Sequence, residues 1–396
     1  MSRNMKEANK RVFSILTNFA DQADDLSYPT GIRYIKTNEE DKKWLKNLKI
    51  VKRQSVLPTL NFATIQFDGK EYFVAVGWKD SIRLSEIITP VDLNAGLVTA
   101  LISEIEISVR RNISAIQIVD EILFQCKESE SDYSGHNFED IILFFEPLIV
   151  YEILDDSLFK ADDITQISGY YISKNFEKLS LPFSETTLLD FEKTFIEDSP
   201  HIPYENLLLS LTSVHWKYSF LDIYRCLERL FPIVALDNFH QELNLGISLL
   251  EFSEKMENAT GWRPIEEHSL RKLIKNSPED ATQLLREIKE FLDKDSKVTP
   301  PEKFYKIGER SLKTLEELIE SSPADAIQPL HEIKEFLDKD SKGDLAKRFY
   351  KIRNSIVHFR PATEQIELDD ENWDKLIRSS LKIIRYWFKK YDSRLE

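Results

Sequence analysis

The stretch "EIKEFLDKDSK" stands twice in the chain, at 287–297 and again at 332–342. The same offset of 45 residues relates "FYKI" at 304–307 to "FYKI" at 349–352, and Ser277-Pro278 to Ser322-Pro323. Across 277–307 and 322–352, 21 of 31 positions are identical. Two copies are too few for a solenoid, so this identity reads as a tandem duplication covering about 269–313 and 314–358. Each copy has a Ser-Pro start, an amphipathic helix, a Lys/Asp turn and a second helix beginning near FYKI. A duplicated helix pair fixes the class of the second half: from Glu205 onward the apolar residues recur at helical spacing almost throughout.

The first half has a different texture. "NFATIQFDGKEYFVAVGW" (61–78) is two β-rich runs around Asp68-Gly69, the residue pair that a primed hairpin turn needs. Residues 6–25 have a helical pattern. Residues 92–126 have helical spacing with strand character near 105–109, and "QISGYYIS" (166–173) reads as a further strand. "EDSPHIPYENLLLSL", with two prolines among polar residues, suits a domain boundary near 198. Residues 205–231 read as one or two helices, and Pro232 disfavours helix just before it. The chain therefore divides into an α+β domain at 1–198, a candidate sensor or partner-binding module, and an all-α helical bundle at 199–396. At roughly 150 residues per domain, 396 residues fit this division.

Composition removes several classes of function. The formal net charge is −15, so a polyanion must meet a local basic patch and not the average field. Two cysteines, Cys126 and Cys226, form neither a disulfide framework nor a CxxC zinc pair, which fits a reducing, cytoplasmic setting. None of the 10 glycines forms GxGxxG or a P-loop. The N-terminal stretch lacks the apolar region of a secretory signal. The most apolar run, "IILFFEPLIVY" (141–151), is interrupted by Glu146 and Pro147 and reads as core. His136, His201, His215, His240, His268 and His331 show no HxxxH or HEXXH spacing and read as structural, so no metal and no cofactor is expected.

One stretch runs against the acidic average: "KRFYKIRNSIVHFRP" (347–361), with Lys347, Arg348, Lys351, Arg353 and Arg360. It lies where the two copies of the duplication part. After FYKI the first copy reads GERSLK and the second reads RNSIVH, so Arg353 stands opposite Gly308, Asn354 opposite Glu309 and His358 opposite Lys313. The scaffold was copied and the polar cluster stands in one copy alone. On a helix, Asn354 and His358 share a face, and Arg353 flanks it at about 100°. Pro361 ends the helix, which puts His358 in its last turn. The helix carbonyl end favours a protonated imidazole. Arg353 and Arg360 oppose it, and an imidazole poised between states suits general acid–base work. A guanidinium beside it can bind phosphate through two N–H groups. One histidine cannot serve both sides of a phosphorus, whereas two copies across a symmetric interface can.

R-N-x3-H at the end of a helix, with the lead-in FYKI, resembles the active motif of HEPN domains. Many of these helical bundles are endoribonucleases in toxin–antitoxin, CRISPR and phage-defence systems. The stretch "YRCLERLF" (224–231) resembles the first HEPN helix, which often carries an acidic residue facing the site; here that residue is Glu228. The resemblance spans residues 208–391. The duplication lengthens the bundle, and Phe359-Arg360 follow the histidine where a small residue is common. The resemblance implies a homodimer with a composite site, metal-independent RNA cleavage by the 2′-OH to a cyclic phosphate, and an antitoxin or a phage-derived trigger as partner. It assigns catalysis to Arg353, Asn354 and His358, with Glu228, Tyr350 and Arg360 in support. The alternative is a non-catalytic HEPN-like module that binds a nucleotide or a protein.

Two further features complete the reading. Lys375, Arg378, Lys382, Arg385 and Lys389 form a basic stripe on the last helix, opposite an apolar stripe of Ile377, Leu381, Ile384, Phe388 and Tyr391. With Lys347, Arg348 and Lys351, that stripe is the candidate RNA-steering surface, weighed against a plain solvated face. "VRRNISAI" (109–116) repeats the Arg-Asn pair but has Ile116 where the histidine would stand, so it carries no expected chemistry.

Overall fold

The computed structural model describes residues 4–23, 26–58, 60–78, 87–105, 107–128, 132–197, 199–244, 246–295, 345–357 and 367–395. His358, Arg360 and most of the duplication therefore lie outside the described residues. The chain divides into two compact units, 1–171 and 172–396.

The first unit is built on a five-stranded antiparallel sheet in the order β1-β2-β3-β5-β4. The strands are β1 (Lys49–Leu57), β2 (Leu60–Phe67), β3 (Lys70–Val76), β4 (Ile88–Pro90) and β5 (Leu148–Ile153). β2 and β3 are the expected hairpin. Asp68 and Gly69 both take positive φ, 51° and 80°, as a primed turn requires. Ala63 pairs with Val74, and Val74 with Val150, which puts these small and branched residues on one face. That face packs into a core with α1 (Met5–Ala20), α2 (Glu39–Asn47) and α3 (Ala95–Ile105). α4 (Ala115–Ile118), which continues as a π turn, and α5 (Phe138–Ile142) complete that layer.

Phe62, Phe73 and Tyr151 point the other way and meet Tyr171 at 5.6–5.9 Å between ring centroids. Both faces of the central strands are thus covered, which explains why β2, β3 and β5 are apolar at successive positions. The segment 166–173, expected as a strand, is helical within α6 (Ile164–Lys174). Its Tyr and Ile residues favour strand, but Ile164, Ile167 and Tyr171 fall on one helical face and bury there, and packing outweighs propensity.

The second unit is helical among its described residues. Its helices are α7 (Glu185–Phe195), α8 (Tyr204–Leu211), α9 (Trp216–Glu228), α10 (Leu230–Leu243), α11 (Leu249–Thr260), α12 (Glu266–Lys275), α13 (Glu279–Asp295), α14 (345–357) and α15 (Asp370–Leu395). The proline-rich segment expected to divide the domains is the α7–α8 loop within this unit. The division falls 27 positions earlier, at 171/172, because α7 packs on α15. Pro232 lies in the first turn of α10, where its missing N–H has no helical acceptor to lose.

The centre of the unit is α15. Its apolar stripe is buried along its length, from Trp373 through Leu381 and Trp387 to Leu395. The Trp387 indole N–H donates to the Leu273 carbonyl at 3.2 Å and to Ser277 Oγ at 3.0 Å, which ties α15 to the end of α12. Asp374, also buried, accepts from the Ser184 N–H at 3.0 Å and from the Thr187 hydroxyl at 2.9 Å, and so caps the first turn of α7.

Candidate functional site

α9 carries Phe220, Tyr224 and Glu228 at successive four-residue steps, so they share a face. α14 offers Phe349 and Arg353 at the same spacing. The Phe349 ring sits 5.3 Å from Phe220 and 5.9 Å from Tyr224, and all three rings are buried. Burying one such phenylalanine contributes roughly 1.5–3 kcal/mol, enough to fix the register of the two helices. One turn beyond this contact, that register brings Arg353 to Glu228.

The Arg353 side chain is 15% exposed. Its Nη2 donates to Glu228 Oε1 at 3.2 Å and lies 3.7 Å from Glu266 Oε2. Its Nη1 donates to Asn354 Oδ1 at 3.1 Å. The guanidinium carbon lies 5.5 Å from the centroid of the Tyr224 ring, within cation–π range. Glu266 is the first residue of α12, where the exposed N–H groups of a helix start favour an anion. One cation therefore faces two carboxylates from two other helices.

The polar groups around this cation are not all satisfied. The Tyr224 hydroxyl and Glu266 Oε2 are buried without a hydrogen-bond partner among the described residues. Burial, and then the nearby Glu266 carboxylate, push the Tyr224 hydroxyl well above the ordinary phenol range, and Tyr350 adds to that shift. Burial also holds the Glu228 carboxyl above its usual 4.5, against the opposing pull of Arg353, while Glu266 reinforces the rise. A half-buried carboxylate beside a guanidinium ordinarily titrates low. That Glu228 goes the other way reflects desolvation and the second negative charge. Among the described residues no group of three His, Cys, Asp or Glu side chains could hold a metal ion.

The expected residues separate into two sets. Arg353, Asn354 and Glu228 come together, and Tyr350 stands half-buried close by. Lys347 and Lys351 are exposed on α14, and Arg348 is half-buried. His358 and Arg360 lie outside the described residues.

The α15 stripe, expected as an RNA-steering face, is paired with carboxylates along its length. Arg378 and Arg385 both bind the buried Asp190 of α7, at 3.1 and 3.0 Å. Lys375 pairs with Glu287 at 3.2 Å and Glu371 at 2.8 Å. Lys382 pairs with Asp280, and Lys389 with Glu197 at 3.3 Å. The stripe lies at the seams with α7 and α13, and its charge is spent on carboxylates there.

Glu266 was not visible as a site residue in the sequence. It stands 87 positions before Arg353 with no motif around it. The one local signal is its place at a helix start. No family model, curated protein or solved structure matches this chain. No helix among the described residues is long and apolar enough to cross a membrane.

Proposed function

We propose that the second unit is a HEPN-type, metal-independent endoribonuclease domain acting as a toxin or anti-phage effector. In this reading Arg353 binds the scissile phosphate and His358, next in sequence to the last described residue of α14, moves the protons. Asn354 orients the guanidinium, whose Nη1 it already accepts from. The RNA's own 2′-OH is the nucleophile and a cyclic phosphate is the product. A second copy of the chain completes the site, since one imidazole cannot be base and acid on opposite sides of a phosphorus.

The observation that carries the reading is the meeting of Glu228 with Arg353 at 3.2 Å. The resemblance to HEPN helices singled out Glu228 as the acid facing the motif, and the two residues are 125 positions apart in sequence. Arg353 is also held in a form suited to phosphate. Its planar donors are engaged by carboxylates, the groups for which an incoming phosphate substitutes most directly.

The second reading, a non-catalytic HEPN-like module that binds a nucleotide or a protein, draws on the same cluster. Two carboxylates within one chain already neutralise the guanidinium, and such a cluster can serve packing alone. Induced expression separates the two. The catalytic reading expects wild-type protein to arrest growth and fragment cellular RNA, and His358→Ala, expressed equally, to do neither. Fragmentation that persists in His358→Ala contradicts it.

A further inference from the structure

The first unit holds a cavity of about 670 Å³ between α1 and the segment 31–37, within the range of about 300–1,000 Å³ typical of small-molecule sites. Among the described residues three cations line it, Lys6, Lys10 and Arg33, and no carboxylate does. That is unusual for a chain with 68 acidic and 53 basic residues. The first turn of α1 lines the same cavity through Met5 and Lys6, while Glu7 of that turn lies outside the lining.

The cations differ in freedom. Arg33 is fixed: its guanidinium donates to the backbone carbonyls of Leu123, Pro29 and Gly31. It thus carries charge into the wall with no carboxylate ion-paired to it among the described residues. Lys6 and Lys10 are exposed and have no carboxylate partner among the described residues, whereas neighbouring Arg11 binds Glu104 at 3.2 Å. Glu128 reaches the same segment, but its Oε2 accepts the Ile32 N–H at 2.7 Å and does not line the cavity.

The remaining wall combines apolar and aromatic side chains with the uncharged polar Asn9, Ser14, Thr17 and Thr37. Phe13 is buried and packs 5.5 Å from His136, and the Tyr34 ring is held edge-on to Tyr133 at 5.3 Å. Ile32 stands 60% exposed at the cavity, an apolar side chain with little to cover it. The segment can lie this close to 126–128 because residue 31 is glycine. A Cβ there would fall 2.1 Å from Glu128 Oε2 and 2.4 Å from Cys126 Sγ.

From this arrangement we infer that the first unit binds an organic anion carrying a flat apolar ring, of about the size of a nucleoside monophosphate. The ring lies against Phe13, Tyr34 and Ile32, and the anionic group is held by Lys6 and Lys10. This stands apart from the ribonuclease reading, since every residue involved lies in the first unit.

The test uses the full chain and 8-anilinonaphthalene-1-sulfonate, a fluorescent aromatic monoanion, at low salt. Reversing both lysines, Lys6→Glu with Lys10→Glu, should weaken the probe's affinity at least about tenfold, or ~1.4 kcal/mol. The charge-matched control Lys43→Glu with Lys46→Glu, on the exposed face of α2, should bind as wild type does. Adenosine monophosphate should displace the probe, and inorganic phosphate should need a concentration at least about tenfold higher. Equal binding by the Lys6/Lys10 variant, or equal loss in the control, overturns the site. Displacement by phosphate as readily as by the nucleotide overturns the ring-binding half of the inference.

Discussion

Two groups of cations in the second unit face carboxylates, and they do so differently. On α15, Lys375, Arg378, Lys382 and Arg385 meet Glu287, Glu371, Asp190 and Asp280, so charge balances charge. None of those four cations leaves a buried polar atom unpaired among the described residues. On α14, Arg353 meets both Glu228 and Glu266, and beside it the Tyr224 hydroxyl and a Glu266 oxygen have no hydrogen-bond partner among the described residues. The first arrangement is a closed seam that holds helices together. The second keeps an excess of negative charge and open hydrogen-bonding capacity in a half-buried place, which is costly for a purely structural contact. A basic stripe read from sequence can therefore be taken up in helix packing, as this one is, whereas the lone arginine on α14 faces more acids than it can neutralise.

The comparison can be broken first at Asp190. Asp190→Ala leaves Arg378 and Arg385 facing each other without their shared anion. The expected loss is about 3 kcal/mol of folding stability, read by urea denaturation. A loss below about 0.5 kcal/mol would mean that the seam is ornamental. Next comes Glu228, whose carboxyl titrates above its ordinary 4.5. A raised folded-state value means that protonation favours the folded chain. Its stabilising effect is complete below 4.5 and is lost as pH rises through the raised value. The stability of wild type relative to Glu228→Gln should therefore fall as pH rises from the ordinary glutamate range through the raised value. A relative stability that rises with pH would show that the Arg353 pairing, and not burial, dominates.

Smaller effects sharpen the contrast. Glu266→Gln removes one competitor for the guanidinium and should lower the KM for RNA about threefold, with kcat little changed. An unchanged KM would mean that Glu266 does not compete with substrate. Lys382→Ala, whose partner Asp280 is 61% exposed, should cost less than about 0.5 kcal/mol and leave RNA cleavage as it was. A lowered cleavage rate would support the stripe as an RNA-steering surface.

What the sequence made legible is what local chemistry decides. The Asp68-Gly69 turn is written in two residues that tolerate positive φ, and its flanking strands follow. The apolar stripe of α15 is a matter of spacing, and Ile377, Leu381, Ile384, Phe388 and Tyr391 are all buried as it requires. Where packing decides, the sequence misled. The Tyr-rich run 166–173 has strand propensity and forms a helix because a sheet face was there to be covered. The partner of Arg378 and Arg385 is Asp190, almost two hundred positions away, and nothing in the spacing of the stripe announces it. At the candidate site, Arg353 and Asn354 were legible as a motif and Glu228 through resemblance. Glu266 was not, because its meeting with Arg353 exists only once α12 is packed.

The central claim is that the Arg353 cluster is a working site and not another staple. The most direct measurement is cleavage of RNA by the purified full chain in excess EDTA, comparing wild type with Arg353→Lys and following the folding stability of both. Lysine keeps the charge for Glu228 and Glu266 but loses the planar fork that binds phosphate through two N–H groups. The account predicts metal-independent cleavage by wild type, and a loss of about a hundredfold or more in Arg353→Lys with stability changed by less than about 1 kcal/mol. Cleavage by Arg353→Lys at the wild-type rate, or no cleavage by the wild-type chain on any RNA offered, would contradict it.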